Sequence, residues 1–438
     1  MTATDSHANI DTSDRTRSSK PVGYLDLIRS NRNFRLLWAG DVVSFFGDWF
    51  NTIALYAIVE RLTGSPFALG LVFITKLLPM GLASPIAGLI ADRFNRRRLM
   101  IGADVVRAVI VLGFLFVNTV EDLPLLYVLA ALQVVIGAVF LPARGASIPN
   151  ITSESELVTA NALMASTWSA ILALGAALGG FATNLFGEDA VFVLDSLSYL
   201  VSGGLLWFAV IPQTTERVDT SRSLVKQAYQ DVLAGWRYMR DYPRVGRIAL
   251  AKAAWALSGG GLVFMLTLLG SEIMPAAPAV AIGILFSARG LGTGIGPILA
   301  RRWFRDEDLW PTLLGLCICF SGAFYIVVGV SPWTSILFLA VLVTVAHSSS
   351  GANWVVSNVM LQKRAVDRFR GRVFATEWLT VTLVDTASIL TVSLLLQWAG
   401  VGLRAGFLVF AGLQVLTGIV WLVVVVPGER NEKRSAKR

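Results

Sequence analysis

Apolar runs of about 20 residues recur along the whole sequence, and this is the length a helix needs to cross the hydrocarbon core of a bilayer. Of the 438 residues, 55% are hydrophobic and 15% are charged, whereas an ordinary soluble domain carries about 25% charge. In lipid every backbone polar group must be satisfied within its own segment, so such runs are read as helices. Twelve are placed, at 36–59, 67–90, 99–118, 123–141, 162–185, 190–210, 248–270, 279–300, 310–329, 333–357, 373–396 and 403–426. The expected fold class is an all-α membrane protein with twelve transmembrane helices.

The net charge of +8 is a topology signal and gives no reason to expect a nucleic-acid partner. With twelve spans, 31 of the 37 Lys and Arg fall in the N-terminal segment, the even-numbered loops and the C-terminal tail. The remaining six are Arg61 in an opposite loop, Arg404 at the outer end of span twelve, and four deeper within spans. By the positive-inside rule both termini are expected in the cytoplasm. Residues 1–20 are polar and lack the apolar core of a signal peptide; they are read as a disordered tail. Cys317 and Cys319 lie mid-span and carry no information on compartment.

A hydrophilic stretch divides the chain. The expected plan is a tail (1–33), six spans (34–211), a linker (212–247), six spans (248–427) and a basic tail (428–438). Within the linker, Leu224, Ala228, Val232, Trp236 and Met239 recur at helical spacing opposite a basic face, as in a helix lying on a membrane surface. The halves echo one another: GLIADRFNRRR follows span two and GPILARRWFRD follows span eight. Two related six-helix halves are the repeat plan of many transporters, with a site at mid-membrane between them.

Residues 88–100, GLIADRFNRRRLM, resemble the loop signature of the major facilitator superfamily, Gly-x-Leu-Ala-Asp-Arg-x-Gly-Arg-Lys-x-x-Leu. Gly88, Ala91, Asp92, Arg93, Arg96 and Arg97 match; Asn95 replaces the second glycine and tolerates a left-handed turn. SNRNFRLLWAGDVVSFFGDWF, LPARGASIPNITSESELVTANAL and DRFRGRVFATEW extend the resemblance over nearly the whole chain. They look like the branch of bacterial drug and siderophore exporters that includes macrolide and enterobactin efflux proteins. The resemblance implies two pseudo-symmetric six-helix bundles in the bacterial inner membrane, a monomer, no cofactor, and proton-coupled export of a small organic molecule such as a drug, macrolide or siderophore. It also implies a latch in which Asp92 meets span eleven; Glu377, early in that span where a helix N-terminus stabilises it, reads as a latch or cap residue. Gly88 would permit close helix approach there.

Charged groups inside spans are costly and mark function by default. Asp41 and Asp48 in span one are seven residues apart, about two helical turns, and Phe45 and Thr52 continue their stripe. A carboxyl in low dielectric holds its proton more readily, as proton coupling requires. Asp48 is the first candidate, with Asp41 and Asp385 behind it; Asp195 reads as a structural hydrogen-bonding acid. Asp104 and Arg107 are i, i+3 neighbours that can pair, and with Arg144 they are candidate gate residues. The polar run AHSSSGANWVVSN in span ten brings His347, Asn353, Trp354 and Asn358 as cavity candidates, joined by Lys252 and Arg289. Lys76 is in the same position as these two cations, able to balance acids or to contact an anionic substrate. The glycines of LGAALGG in span five suit tight packing of the halves.

There is no phosphate loop, metal-ligand cluster or Ser/His/Asp set, so neither an enzyme nor ATP-driven transport is expected. Two other readings of the same residues are a lipid or lysophospholipid flippase and a non-transporting membrane sensor or partner subunit.

Overall fold

The computed structural model describes residues 22–213 and 223–435; the expected disordered tail, residues 1–20, lies outside them. A short α1 (Tyr24–Ser30) precedes α2 (Arg32–Thr63), α3 (Pro66–Arg93), α4 (Arg96–Leu112), α5 (Leu123–Ile151) and α6 (Glu154–Trp207). Then come α7 (Leu224–Asp241), α8 (Pro243–Ala249), α9 (Ala251–Ile273), α10 (Pro278–Trp303) and α11 (Trp310–Val330). The chain ends in α12 (Ile336–Arg364), α13 (Asp367–Trp398), α14 (Leu403–Val420), a π turn, and α15 (Val426–Ser435). Among the described residues, eleven helices are long and apolar enough to cross a membrane. One of them, α6, has 54 residues. At about 1.5 Å per residue it is far longer than a ~30 Å hydrocarbon core.

The helix α6 is two spans. At Gly187 the backbone leaves the helix with φ 80° and ψ 168°. Before the break α6 runs parallel to α2: Trp38 donates to Thr167 at 2.9 Å, and Trp49 and Phe50 meet Gly175 and Gly179. After it the order reverses, with Gly47 beside Ser198 and Gly40 beside Ser202. Counted by direction, the described residues form twelve long segments, as two six-helix bundles: α2 to α6, and α8/α9 to α14. That region of φ/ψ is essentially restricted to glycine, and no atom lies within 4 Å of a Cβ placed there. Gly187→Ala is therefore expected to cost about 1–3 kcal/mol through the backbone alone. Gly204, inside a helix and equally unobstructed, should gain slightly from Ala. Heat denaturation of the two variants in detergent checks the opposite signs.

Local chemistry sets the helix starts. Ser65 and Ser335 accept from Ala68 and Phe338 backbone N–H groups, as N-caps do. Asn95 does the same for Arg98 at 3.0 Å with φ −65°. This corrects the left-handed turn expected of it: capping gives Asn95 an ordinary extended backbone. Residues from 428 continue as helix α15, where Glu429 is gripped by Arg247 at 2.7 Å and Arg364 at 2.8 Å. In the linker, α7 buries Ala228, Gly235, Tyr238 and Met239. It binds α13 through Asp231–Arg372 at 2.8 Å and Thr376 to the Val232 carbonyl, and α3 through Arg93 to Gln227. It thus straps both bundles at one face.

The core is asymmetric along the membrane normal. The face carrying the signature loop is rich in arginine and is called the basic face. Toward the opposite face one buried cluster runs through both bundles, from Ile53 and Phe73 to Phe264, Phe286 and Phe407. Tyr56 stacks on Phe73 with ring centroids 4.4 Å apart, and Phe73 meets Phe264 edge-on at 5.5 Å. Ser65 donates to Gln397 at 2.8 Å across the junction. Toward the basic face each bundle keeps its own cluster. Among the described residues none is common to both there.

Candidate functional site

A cavity of about 260 Å³ lies at mid-membrane, lined entirely by the first bundle. α2 supplies Phe45, Asp48, Trp49 and Thr52; α3 supplies Lys76; α4 supplies Arg107; α6 supplies Trp168 and Tyr199. Asp48 and Thr52 share the cavity because four residues is about one helical turn. Arg107 and Lys76 reach it from neighbouring helices, where long side chains carry charge several ångströms from the backbone.

The acids in and around the cavity are held in different ways. Asp41 is buried, and both its oxygens accept from Arg144 Nη1 at 2.7 Å. Asp104 is fully buried and receives Arg107 Nη2 at 2.5 Å. Asp195 is fully buried, with one oxygen accepting from Ser198 at 3.4 Å and the other without a hydrogen-bond partner among the described residues. Asp48 alone among the four lines the cavity. It accepts from the Tyr199 hydroxyl, and its other oxygen lies 3.9 Å from Arg107 Nη1. Arg107 also sits over the Tyr199 ring at 4.2 Å and the Phe140 ring at 5.2 Å. Gln133 donates to the Tyr199 hydroxyl at 3.0 Å, which orients that hydroxyl toward Asp48.

The second-bundle candidates lie away from this cavity. Lys252 pairs with Glu377 at 2.7 Å, donates to Asn358 at 2.6 Å and lies over Trp354 at 4.5 Å. Glu377 is thus committed to a lysine of its own bundle. His347 has both ring nitrogens engaged, by Tyr325 at 2.7 Å and Ser350 at 3.0 Å, so it is a satisfied buried side chain. Asn353 donates to the Leu314 carbonyl. Arg289 packs over Phe286 at 5.8 Å, and among the described residues Arg289 Nε and Asp385 Oδ1 are buried without a hydrogen-bond partner.

At the basic face, two arginines of the signature loop donate to carbonyls of other helices, Arg97 at the end of α6. Arg97 donates to the Leu206 and Trp207 carbonyls, and Arg96 to the Ala146 carbonyl at 2.8 Å. A cation at orphan carbonyls of a helix C-terminus is favoured. Asp92 stays largely exposed, 3.9 Å from Arg96, and a Cβ on Gly88 would meet nothing within 4 Å. The contact with span eleven and the close approach expected here are not made in this conformation, in which the two bundles share no core at this face.

Tyr199, Gln133, Trp49 and Trp168 are cavity residues that the sequence reading did not single out. Tyr199 had a local signal, since it follows Asp195 by one helical turn. The others are apolar or neutral positions whose pattern equally suits a packed core.

The profile of the Major Facilitator Superfamily matches residues 37–384. The chain is 24% identical over 406 residues to an uncharacterized MFS-type transporter, YfiS, of Bacillus subtilis, covering 91% of this chain and 94% of that one. It is 22% identical over 344 residues to Macrolide efflux protein A of Streptococcus pyogenes, covering 78% and 84%. A bacterial homolog of the human lysosomal transporter Spinster, solved in an inward-facing and unoccupied conformation, superposes with a TM-score of 0.66. Its identity is 15%, over 92% of this chain and 96% of that one, so this likeness is one of fold.

Proposed function

The chain belongs to the Major Facilitator Superfamily and is a secondary transporter, and we propose that it exports a small organic molecule in exchange for protons by alternating access. One observation carries the proton reading. Asp48 is the acid of the first bundle that faces the cavity, and it is 31% exposed with its cation at 3.9 Å. Asp41 is closed onto Arg144 at 2.7 Å, and Asp104 holds the near side of Arg107 at 2.5 Å. A carboxyl that water or ligand can reach, held by a shared cation, can change protonation without breaking a closed ion pair. The groups around it are Tyr199 and Asp195 from α6, Arg107 and Asp104 from α4, Lys76 from α3, Gln133 from α5 and Asp41 on its own helix.

A common core toward one face and separate cores toward the other suit a state open on the basic side. By the positive-inside rule that side is the cytoplasm, with both termini there. The reading is then of an inward-facing monomer in a bacterial inner membrane, and the name of the macrolide-efflux relative supports the export direction. The cavity volume is below the ~300 Å³ lower end of drug-sized pockets, which favours a small cargo.

The test uses inside-out vesicles with an imposed proton gradient, following internal pH as compounds are added. The wild type should release protons when it meets a cargo. Asp48→Asn should reduce that release at least tenfold, and Asp48→Glu should keep part of it. Equal proton release by wild type and Asp48→Asn would remove Asp48 from the mechanism.

A further inference from the structure

Among the described residues, one cation of the cavity, Lys76, has no carboxylate at ion-pair distance. Lys76 Nζ donates to Thr52 Oγ1 at 2.8 Å and stands 3.4 Å from Asn51 Oδ1, both neutral. No carboxylate lies within ion-pair distance of it among the described residues; the acids nearest in its field, Asp48 and Asp195, are farther off. Arg107 has Asp104 at 2.5 Å and Asp48 at 3.9 Å, so its charge is already shared. An ammonium at membrane depth facing only neutral oxygens is costly. That cost falls when an occupant brings a negative group to the third N–H.

We propose that the cargo is a zwitterion of amino-acid or dipeptide size, its carboxylate on Lys76, its amine on Asp48 and its apolar body against Trp49, Trp168 and Phe45. This rests on the exchange reading above, which decides between three kinds of cargo. A plain anion would bind better with Asp48 neutral, so cargo and proton would bind together and travel the same way. A plain cation would meet Asp48 but be repelled by Lys76 and Arg107. A molecule with both charges uses both groups, and its amine replaces the proton on Asp48, as exchange demands. The volume of about 260 Å³ agrees with a cargo of this size.

Trp49 and Trp168 line the cavity and report binding by their fluorescence without any gradient. The probes are leucyl-leucine, leucyl-leucinamide, which lacks the carboxylate, and N-acetyl-leucyl-leucine, which lacks the amine. The purified full chain should bind the free dipeptide at least tenfold more tightly than either blocked form. Lys76→Gln should abolish the preference over the amide and keep that over the acetylated form; Lys76→Arg should keep both. Equal binding of dipeptide and amide by the wild type, no binding of any probe, or an unchanged preference in Lys76→Gln would overturn the assignment. A parallel assay with a cationic dye in vesicles separates the two readings. Proton release lost in Asp48→Asn, with no dipeptide binding, would leave proton-coupled export standing and remove the zwitterion.

Discussion

Arg107→Gln is expected to destabilise the protein by about 3–5 kcal/mol, the range for removing one partner of a buried ion pair. The reason is the number of groups that depend on this guanidinium. Asp104 is fully buried and has Arg107 as its ion-pair partner at 2.5 Å. Asp48 shares the same cation at 3.9 Å, and the Tyr199 and Phe140 rings stack against it. Glutamine leaves a carboxylate at membrane depth with no compensating charge. At about 2–4 °C per kcal/mol for a bundle of this size, the midpoint of heat denaturation in detergent should fall by about 10 °C. Arg107→Gln combined with Asp104→Asn should recover most of the loss, because the stranded charge goes with it. Arg61→Gln is the contrast. Arg61 pairs with Glu188 at 3.1 Å but is 56% exposed, and such pairs contribute about 0–1 kcal/mol. Similar midpoints for Arg107→Gln and Arg61→Gln would refute the account of the cluster.

The second large effect concerns the junction between bundles. At the crossing of α6 and α10, a Cβ on Gly180 would lie 3.2 Å from the Gly283 Cα and closer still to the Ala279 carbonyl. Both obstacles are backbone, so nothing can rotate aside. Gly283 faces Ala176 and Gly180 in the same reciprocal way. Gly180→Leu is expected to force the bundles apart on the face opposite the basic one, with overpacking worth about 1–3 kcal/mol. That strain is relieved in the alternate, outward-open arrangement. The balance between the two states should therefore shift by about 5- to 150-fold. The readout is a cysteine at Ser65, which bonds Gln397 across the seal, in a chain whose Cys317 and Cys319 are replaced by alanine. A thiol reagent that cannot cross the membrane should label it faster in Gly180→Leu than in the parent when added at the far face. An unchanged labelling rate in a stably folded variant would mean that this crossing does not hold the seal.

The relation of sequence to structure differs from element to element. The twelve spans, the helix after the midpoint and the division at 212–247 follow from hydrophobic runs and period, which are local properties. Even the pair of spans that merges into α6 is divided near its glycine, because Gly187 is where the apolar run is interrupted. The Asp41–Asp48 stripe is equally local, since seven residues is about two turns.

Which of those two acids is caged and which faces the cavity was not legible. Asp41 is taken by Arg144, 103 residues on, and Asp48 is engaged by Tyr199, 151 residues on. Lys252 and Glu377 read as separate polar residues in two spans, yet they neutralise each other. Lys76 read as one cation among several, and its isolation shows only when every acid around it has been located. The sequence alone determined where the long apolar helices lie and which of their faces carry charge, because helical period and the cost of charge in lipid act within one segment. The tertiary structure alone decided which charges are paired, which stand free in the cavity and on which side the bundles are sealed. A pairwise electrostatic energy falls with distance between groups, and that distance is set by packing of helices far apart in the chain.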